Sequence, residues 1–176
     1  MAERCRCDLI IDAFAGVGGN AIQFAFECER VIAIEIDAPR LQLARHNAAV
    51  YEVADRIEWI HGDFLSLAPH LKADVVFLSP PWGGPGYSTA PVFDLVTMMG
   101  GLDGAEILRA ALRVAPNVAY FLPKNADERQ IAQLAAEAGV PVEVEVCKLN
   151  GHAKGLMAYF FHSFDAGEEE GEGRRG

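Results

Sequence analysis

The sequence predicts an α/β domain: a doubly wound, mostly parallel sheet of seven strands that ends in an antiparallel hairpin. Three observations carry this. Short apolar runs alternate with helical patterns from Leu9 to Ala138, and Gly, Pro and Asp punctuate them. The last two apolar runs, Val142 to Leu149 and Leu156 to Phe164, have no helix between them. Parallel neighbours need crossover helices, whereas antiparallel neighbours need only a turn. At 176 residues the chain has the length of one domain and can bury a good core.

Leu9 to Ala13 reads as a short buried strand, followed by a Gly-rich turn and a helix through about Glu27. Val31 to Ile36 is the second strand. Pro39 opens a helix to about Tyr51, with Leu41, Ala44, Ala48 and Tyr51 at i, i+3, i+4 spacing on one face. Ile57 to Ile60 and Asp74 to Leu78 are the third and fourth strands, the latter stopped by Pro80-Pro81. Ser79 to Pro91 is rich in Gly and Pro and fits neither a helix nor a central strand. Ala105 to Val114 is helical, Val118 to Leu122 is the fifth strand, and Ala126 to Ala138 is a second amphipathic helix. Asn150 to Gly155 joins the final two strands as a hairpin loop. The whole is a Rossmann-like pattern.

Charge narrows the function. The net charge is −10, and the tail from Asp165 to Gly176 holds five acids against two arginines, leaving −7 on the rest. A protein that tracks along a phosphate backbone is usually basic, so a nucleic-acid substrate would be gripped at a small local feature, and no DNA partner is expected. The tail reads as solvated and disordered, and residues 1–164 as the folded domain. No apolar run reaches membrane-spanning length and the N-terminus has no signal-peptide core, so an intracellular location is expected. Cys5-x-Cys7, with Cys28 and Cys147 far away in sequence, lacks finger spacing; these are expected to be idle thiols, with no metal site.

Ligands of such sheets sit outside the carboxyl ends of the strands. After the first strand comes Asp12-Ala-Phe14-Ala-Gly16-Val-Gly18-Gly-Asn20. Its glycines allow a tight turn and close approach of a ligand to a helix N-terminus. Gly16-x-Gly18-x-x-Ala21, with Glu35 downstream, also satisfies a dinucleotide fingerprint, so a nicotinamide oxidoreductase competes on this motif. Acids decide between them. Asp12 can face an ammonium, Glu35 can accept from ribose hydroxyls, and Asp63 beside Phe64 can accept from an adenine amine. An acidic cradle suits S-adenosylmethionine, which is cationic and lacks phosphates, and repels a pyrophosphate. Asp12 could instead cap a backbone turn and Asp63 the following helix.

Ser79-Pro80-Pro81-Trp82 follows the fourth strand. The lone pair of an exocyclic amine is delocalised into its ring, so a site that methylates it must accept the amine's hydrogen bonds and hold the base rigidly. Ser79 and the carbonyls of a stiff Pro-Pro pair supply acceptors, and Trp82 supplies a stacking face. A 7-methylguanine ring is cationic, and a Trp face attracts cations as well as flat rings, by roughly 0.5 to 2 kcal/mol. The alternative is a Pro-rich turn with a partly buried Trp. No general base stands out; a methylated amine can lose its proton to water.

The segments Asp12 to Asn20, Val31 to Asp37, Gly62-Asp63-Phe64, Ala73 to Pro85 and Tyr120-Phe-Leu-Pro-Lys-Asn125 resemble the trimethylguanosine synthase family. The resemblance spans about Leu9 to Phe161. It implies methylation of the guanine amine of 7-methylguanosine caps on small nuclear and nucleolar RNAs, with S-adenosylhomocysteine as by-product. It also implies a nuclear (nucleolar or Cajal-body) or cytoplasmic location; a monomer is expected. By position, Asp12, Phe14, Gly16, Gly18, Asn20, Glu35, Asp63, Phe64 and Ser79 match cofactor contacts, and Ser79, Pro80 and Trp82 the guanine site. Asn47 matches a position near the base, and Lys124 a basic position near the cap phosphates, where the family more often has Arg. Read alone, Asn47 is an exposed helix residue and Lys124 a solvated loop lysine. Glu35 stands where Asp is common, and its longer arm still reaches a ribose. The family carries helices ahead of the first strand; here that strand begins near Asp8, so a trimmed fragment or a minimal version is expected. Two alternatives stay open: a cap-binding module that lacks catalysis, and an amino-methyltransferase of another RNA base.

Overall fold

The computed structural model describes residues 1–84, 90–97 and 99–162. Among these, seven strands form one sheet: β1 (Leu9–Asp12), β2 (Arg30–Glu35), β3 (Ile57–His61), β4 (Val75–Leu78), β5 (Asn117–Pro123), β6 (Val142–Leu149) and β7 (His152–Phe160), in the order β3-β2-β1-β4-β5-β7-β6. The first five are mutually parallel, and β7 runs antiparallel between β5 and β6. Chain order reverses between β1 and β4, which puts a crevice at their carboxyl ends.

Among the described residues, five α-helices connect the strands: α1 (Gly19–Glu27), α2 (Ala38–Val50), α3 (Phe64–Leu67), α4 (Gly104–Val114) and α5 (Glu128–Ala138). Side chains alternate along each strand, so each face of the sheet needs its own cover. Ile11, Ile34, Val76, Leu78, Val118 and Tyr120 face one way, against α3, α4 and α5. Ile10, Val31, Ala33, Phe77, Ala119 and Tyr159 face the other, against α1 and the Ala48 side of α2. No helix among the described residues is long and apolar enough to cross a membrane.

Aspartates start the helices. Asp37 accepts from the Arg40 N–H at 2.9 Å ahead of Pro39, and Asp103 from Ala105 and Glu106. Asp127 caps α5, which therefore begins at Glu128, two residues later than the sequence pattern suggests. The terminal hairpin is also tighter than expected. Asn150 (φ 51°) and Gly151 (φ 78°) make the whole turn, and β7 starts at His152 instead of Leu156. Positive φ at both central residues is what a two-residue turn between twisted strands requires. Cys147 pairs with Gly155 but Lys148 with Ala153, leaving Lys154 as a bulge. β7 ends at Phe160; the expected end at Phe164 and the acidic tail lie outside the described residues. Cys5 and Cys28 are buried, and the Cys7 and Cys28 sulfurs lie 3.9 Å apart. Among the described residues no cluster of His, Cys, Asp or Glu could hold a metal.

Candidate active site at the carboxyl edge

Asp12 closes β1 and is fully buried between the neighbouring strands, with no hydrogen-bond partner on either carboxylate oxygen among the described residues. Burial pushes its pKa up to about 7, the charge of Glu35 adds to the rise, and the nearby amides of Phe14 and Ala21 oppose it. Those amides bear on it electrostatically, although neither meets hydrogen-bond geometry. A buried carboxylate without donors is costly, and a ligand ammonium is a group that would satisfy it.

Glu35, at the end of β2, is buried and fixed. Its Oε2 accepts the Gly16 N–H at 2.7 Å and its Oε1 the Asp37 N–H at 2.8 Å. Each oxygen keeps a further lone pair for a ligand hydroxyl. Gly16 has φ +55°, and a Cβ there would meet nothing within 4 Å, so the turn faces open space. Gly18 differs: at φ +87° its missing Cβ would lie 3.1 Å from Ala44 and from Trp59. Gly18 lets α1 start tight against α2 and β3, a packing role beside the ligand role that its motif suggests.

Asn47 of α2 donates from Nδ2 to the Val17 carbonyl at 2.9 Å, clamping the glycine turn from outside. It is neither a free helix residue nor in the cleft wall. Asp63 N-caps α3, its Oδ2 taking the Ser66 N–H at 3.0 Å and the Ser66 hydroxyl at 2.7 Å. It does so while still lining the cleft, so the capping and ligand readings are compatible.

That cleft, of about 210 Å³, is walled by Ala13, Phe14, Glu35, Asp63, Phe64 and Pro81, with Ile34, Ile36, Gly62 and Leu102. The Phe14 and Phe64 rings stand 6.1 Å apart. Among the described residues its charged groups are Glu35 and Asp63, with no Lys, Arg or His in the lining. An acidic lining of this kind disfavours a pyrophosphate. Ile36, 67% exposed directly after Glu35, was not singled out from sequence, although an apolar residue after a strand-ending acid is a usable signal. Leu102 arrives from the segment before α4 with no local signal.

The loop after β4 closes over the same edge. The Ser79 hydroxyl donates to the Phe14 carbonyl at 3.4 Å, Pro80 is buried, and Pro81 forms part of the cleft wall. Trp82 is half-buried against Phe121 of β5, with ring centroids 5.1 Å apart and planes tilted by 46°. Residues 85–89, within the predicted Gly/Pro-rich stretch, lie outside the described residues. Beyond them the chain is tied down at Asn125: its Nδ2 donates to the Ala90 carbonyl at 2.9 Å, and its carbonyl takes the Phe93 N–H at 2.7 Å. Asn125 carries no local sequence signal for this role, because Ala90 and Phe93 are remote from it along the chain. Lys124, beside it, is exposed at the same edge. Asn20 lines a separate cleft with Phe77, Phe121 and Met157. The structure therefore gathers Phe14, Gly16, Glu35, Asp63, Phe64, Ser79, Pro80 and Trp82 at one edge, with Asp12 beneath, while Asn20 lines a cleft beside Phe121 and Asn47 holds the Val17 carbonyl.

A family model for RNA cap guanine-N2 methyltransferases matches residues 7–163. The chain belongs to that family. It is 38% identical over 159 residues to the trimethylguanosine synthase of Schizosaccharomyces pombe, covering 87% of this chain and 65% of that one. The trimethylguanosine synthase of Saccharomyces cerevisiae is 34% identical over 163 residues, covering 88% and 52%. The chain thus spans about two thirds and one half of these curated relatives. Among solved structures, a precorrin methyltransferase of Geobacter metallireducens superposes with TM-score 0.64 at 16% identity, covering 92% of this chain and 84% of that one. A tRNA methyltransferase of M. jannaschii gives 0.62 at 17%, covering 88% and 42%. These likenesses establish the methyltransferase fold. Family and fold imply S-adenosylmethionine, which the acidic cleft, the open space before Gly16 and the donor-less Asp12 carboxylate all fit.

Proposed function

We propose that the chain transfers a methyl group from S-adenosylmethionine to the exocyclic amine of 7-methylguanosine in RNA 5′ caps, inside the cell and without a metal. One observation carries the reading: Pro81 walls a cleft whose charged lining, among the described residues, is Glu35 and Asp63, and the next residue is a half-buried Trp. A cofactor pocket and a platform for a flat cationic ring are therefore adjacent in the backbone.

The cofactor supplies an electrophilic methyl on a cationic sulfur. Glu35 accepts from ribose hydroxyls while its two backbone bonds hold it still. Asp63 accepts from the adenine amine, and Phe64 and Ile36 pack the adenine ring. Asp12 takes the ammonium. Ser79 and the Pro80 carbonyl accept hydrogen bonds from the guanine amine, so the nitrogen lone pair turns toward the methyl carbon. Trp82 stacks the base, and Lys124 meets cap phosphates. After transfer, water takes the amine proton.

The test is labelled-methyl transfer to a cap dinucleotide carrying or lacking the 7-methyl group, by the parent chain and by Trp82→Ala. Stacking and cation–π attraction together predict a loss of about a hundredfold in kcat/KM for Trp82→Ala. Transfer indifferent to both the 7-methyl group and Trp82 would rule out the cap reading. Binding of both ligands without transfer would leave a cap-binding module.

A further inference from the structure

We infer that the free end of the β6–β7 hairpin is an arm that binds phosphates of the RNA chain just beyond the cap, through Lys148 and Lys154. The inference rests on the reading above, in which a capped RNA is the substrate, and it adds a site for the nucleotides that follow the cap.

Lysine is scarce in this chain and unevenly placed. Of its four lysines, three (Lys124, Lys148 and Lys154) fall at one corner of the fold. No Asp or Glu stands between Glu145 and Asp165, in a chain that holds 25 acids. Elsewhere cations are committed: Arg4, Arg6, Arg40 and Arg109 pair with carboxylates, and Lys72 donates to the Arg113 carbonyl. Lys124, Lys148 and Lys154 are exposed, and among the described residues they make no ion pair or side-chain hydrogen bond. The nearest acids along β6, Glu143 and Glu145, are held by Arg4 at 2.8 and 3.2 Å. An acidic body repels an RNA backbone, so a local group of uncommitted lysines is where phosphates can settle.

Topology sets this corner beside the proposed cap site. The β5–β7 ladder runs as far as the pair Pro123 and Gly155. Lys124 follows the first and Lys154 precedes the second, so the two leave the ladder side by side at the carboxyl edge. β7 extends beyond that pair to His152, a reach of about 10 Å, and Lys148 of β6 stands opposite Ala153. The bulge at Lys154 leaves that residue out of the pairing and bends the arm. Across the edge, the sheet order sets Asp12, Glu35 and Asp63 at the ends of β1, β2 and β3, Trp82 after β4, Lys124 after β5, and the arm beyond. An RNA whose cap base lies on Trp82 and whose cap phosphates lie by Lys124 meets the arm next. Leu149, 60% exposed at its tip, offers an apolar surface that a base or sugar can cover.

The test measures binding to the full chain, by calorimetry, of a 7-methylguanosine cap dinucleotide and of a short unstructured RNA with and without that cap. The parent is expected to bind the capped RNA about tenfold more tightly than the dinucleotide at about 0.1 M salt. Lys148→Gln combined with Lys154→Gln should remove that advantage and flatten the salt dependence of RNA binding by about 0.7 per lysine in the logarithmic slope. Lys148→Arg with Lys154→Arg should keep the advantage to within about twofold, because the charge is retained. Dinucleotide and S-adenosylhomocysteine affinities should stay within about twofold of the parent in both double variants, since neither ligand reaches the arm. A parent without the advantage, or a glutamine variant that keeps it, would overturn the arm and spare the cap reading. Loss of dinucleotide affinity along with the advantage would also overturn it, by making the hairpin part of the cap site or of the fold. RNA bound equally with and without its cap, yet released by the glutamine variant, would sink the cap reading and keep the arm as an RNA contact. If the parent binds neither capped ligand, both fall together.

Discussion

Around β1 and β2 the carboxyl edge is held by charge and backbone. Glu35 takes two N–H groups at 2.7 and 2.8 Å, Asn47 holds the Val17 carbonyl, and Asp12 sits beneath without donors. Around β4 and β5 it is held by rings and prolines: Trp82 on Phe121, Pro80 buried, Pro81 in the cleft wall. The first half is built as a rigid acceptor array before any ligand arrives, at the cost of one uncomfortable carboxylate. The second is an apolar platform held by packing. On the proposed reading, the difference teaches that cofactor and base are recognised by separable sets of forces.

Three changes probe that separation. The largest effect is expected from Glu35→Gln. An amide nitrogen would then oppose a backbone N–H of Gly16 or Asp37, an unsatisfied pair worth about 1 to 3 kcal/mol, and a ribose acceptor is lost. S-adenosylhomocysteine affinity should fall by about a hundredfold by calorimetry, with a lower Tm and unchanged binding of 7-methylguanosine diphosphate.

Next comes the pH dependence of Asp12. Its folded pKa of about 7 lies above the ordinary aspartate value of 3.8, so the fold favours the protonated form. The associated stability is complete below about pH 4, declines as pH rises toward 7, and is constant above that. Asp12→Asn should remove this decline, gaining more stability over the parent at pH 8 than at pH 5 in denaturant titrations. An ammonium needs the ionised carboxylate, so S-adenosylmethionine affinity of the parent should climb from pH 6 to pH 8, and Asp12→Asn should lose the climb. A parent profile flat in both measurements would remove Asp12 from the cofactor half.

The smallest effect is expected from Asn47→Ala. Losing one hydrogen bond to Val17 should raise the KM for S-adenosylmethionine by about fivefold and leave the cap KM alone. The opposite split would return Asn47 to the base site its family position suggests.

Much of this was legible in the sequence where the cause is local. Strand–helix alternation gave the doubly wound sheet, and the acids at strand ends marked the ligand edge because only there do strand termini open onto a crevice. What stayed hidden joins distant residues. Asn47 reaches a turn on another element, Asn125 ties back residues 90–93, and Phe121 backs Trp82 from the next strand; no window of sequence contains either end of these pairs together. The hairpin was misjudged for a different reason. His152 to Lys154 are exposed and carry no apolar pattern, since β7 projects past the core there, so the strand reads as beginning only at Leu156.

The central claim is that one edge holds two recognition devices with independent chemistry. Calorimetric binding of S-adenosylhomocysteine and of 7-methylguanosine diphosphate to Trp82→Ala and to Glu35→Gln tests it directly. The account predicts that Trp82→Ala loses only the guanine ligand and Glu35→Gln only the cofactor product. Loss of both ligands in either variant, or retention of the guanine ligand by Trp82→Ala, would contradict it.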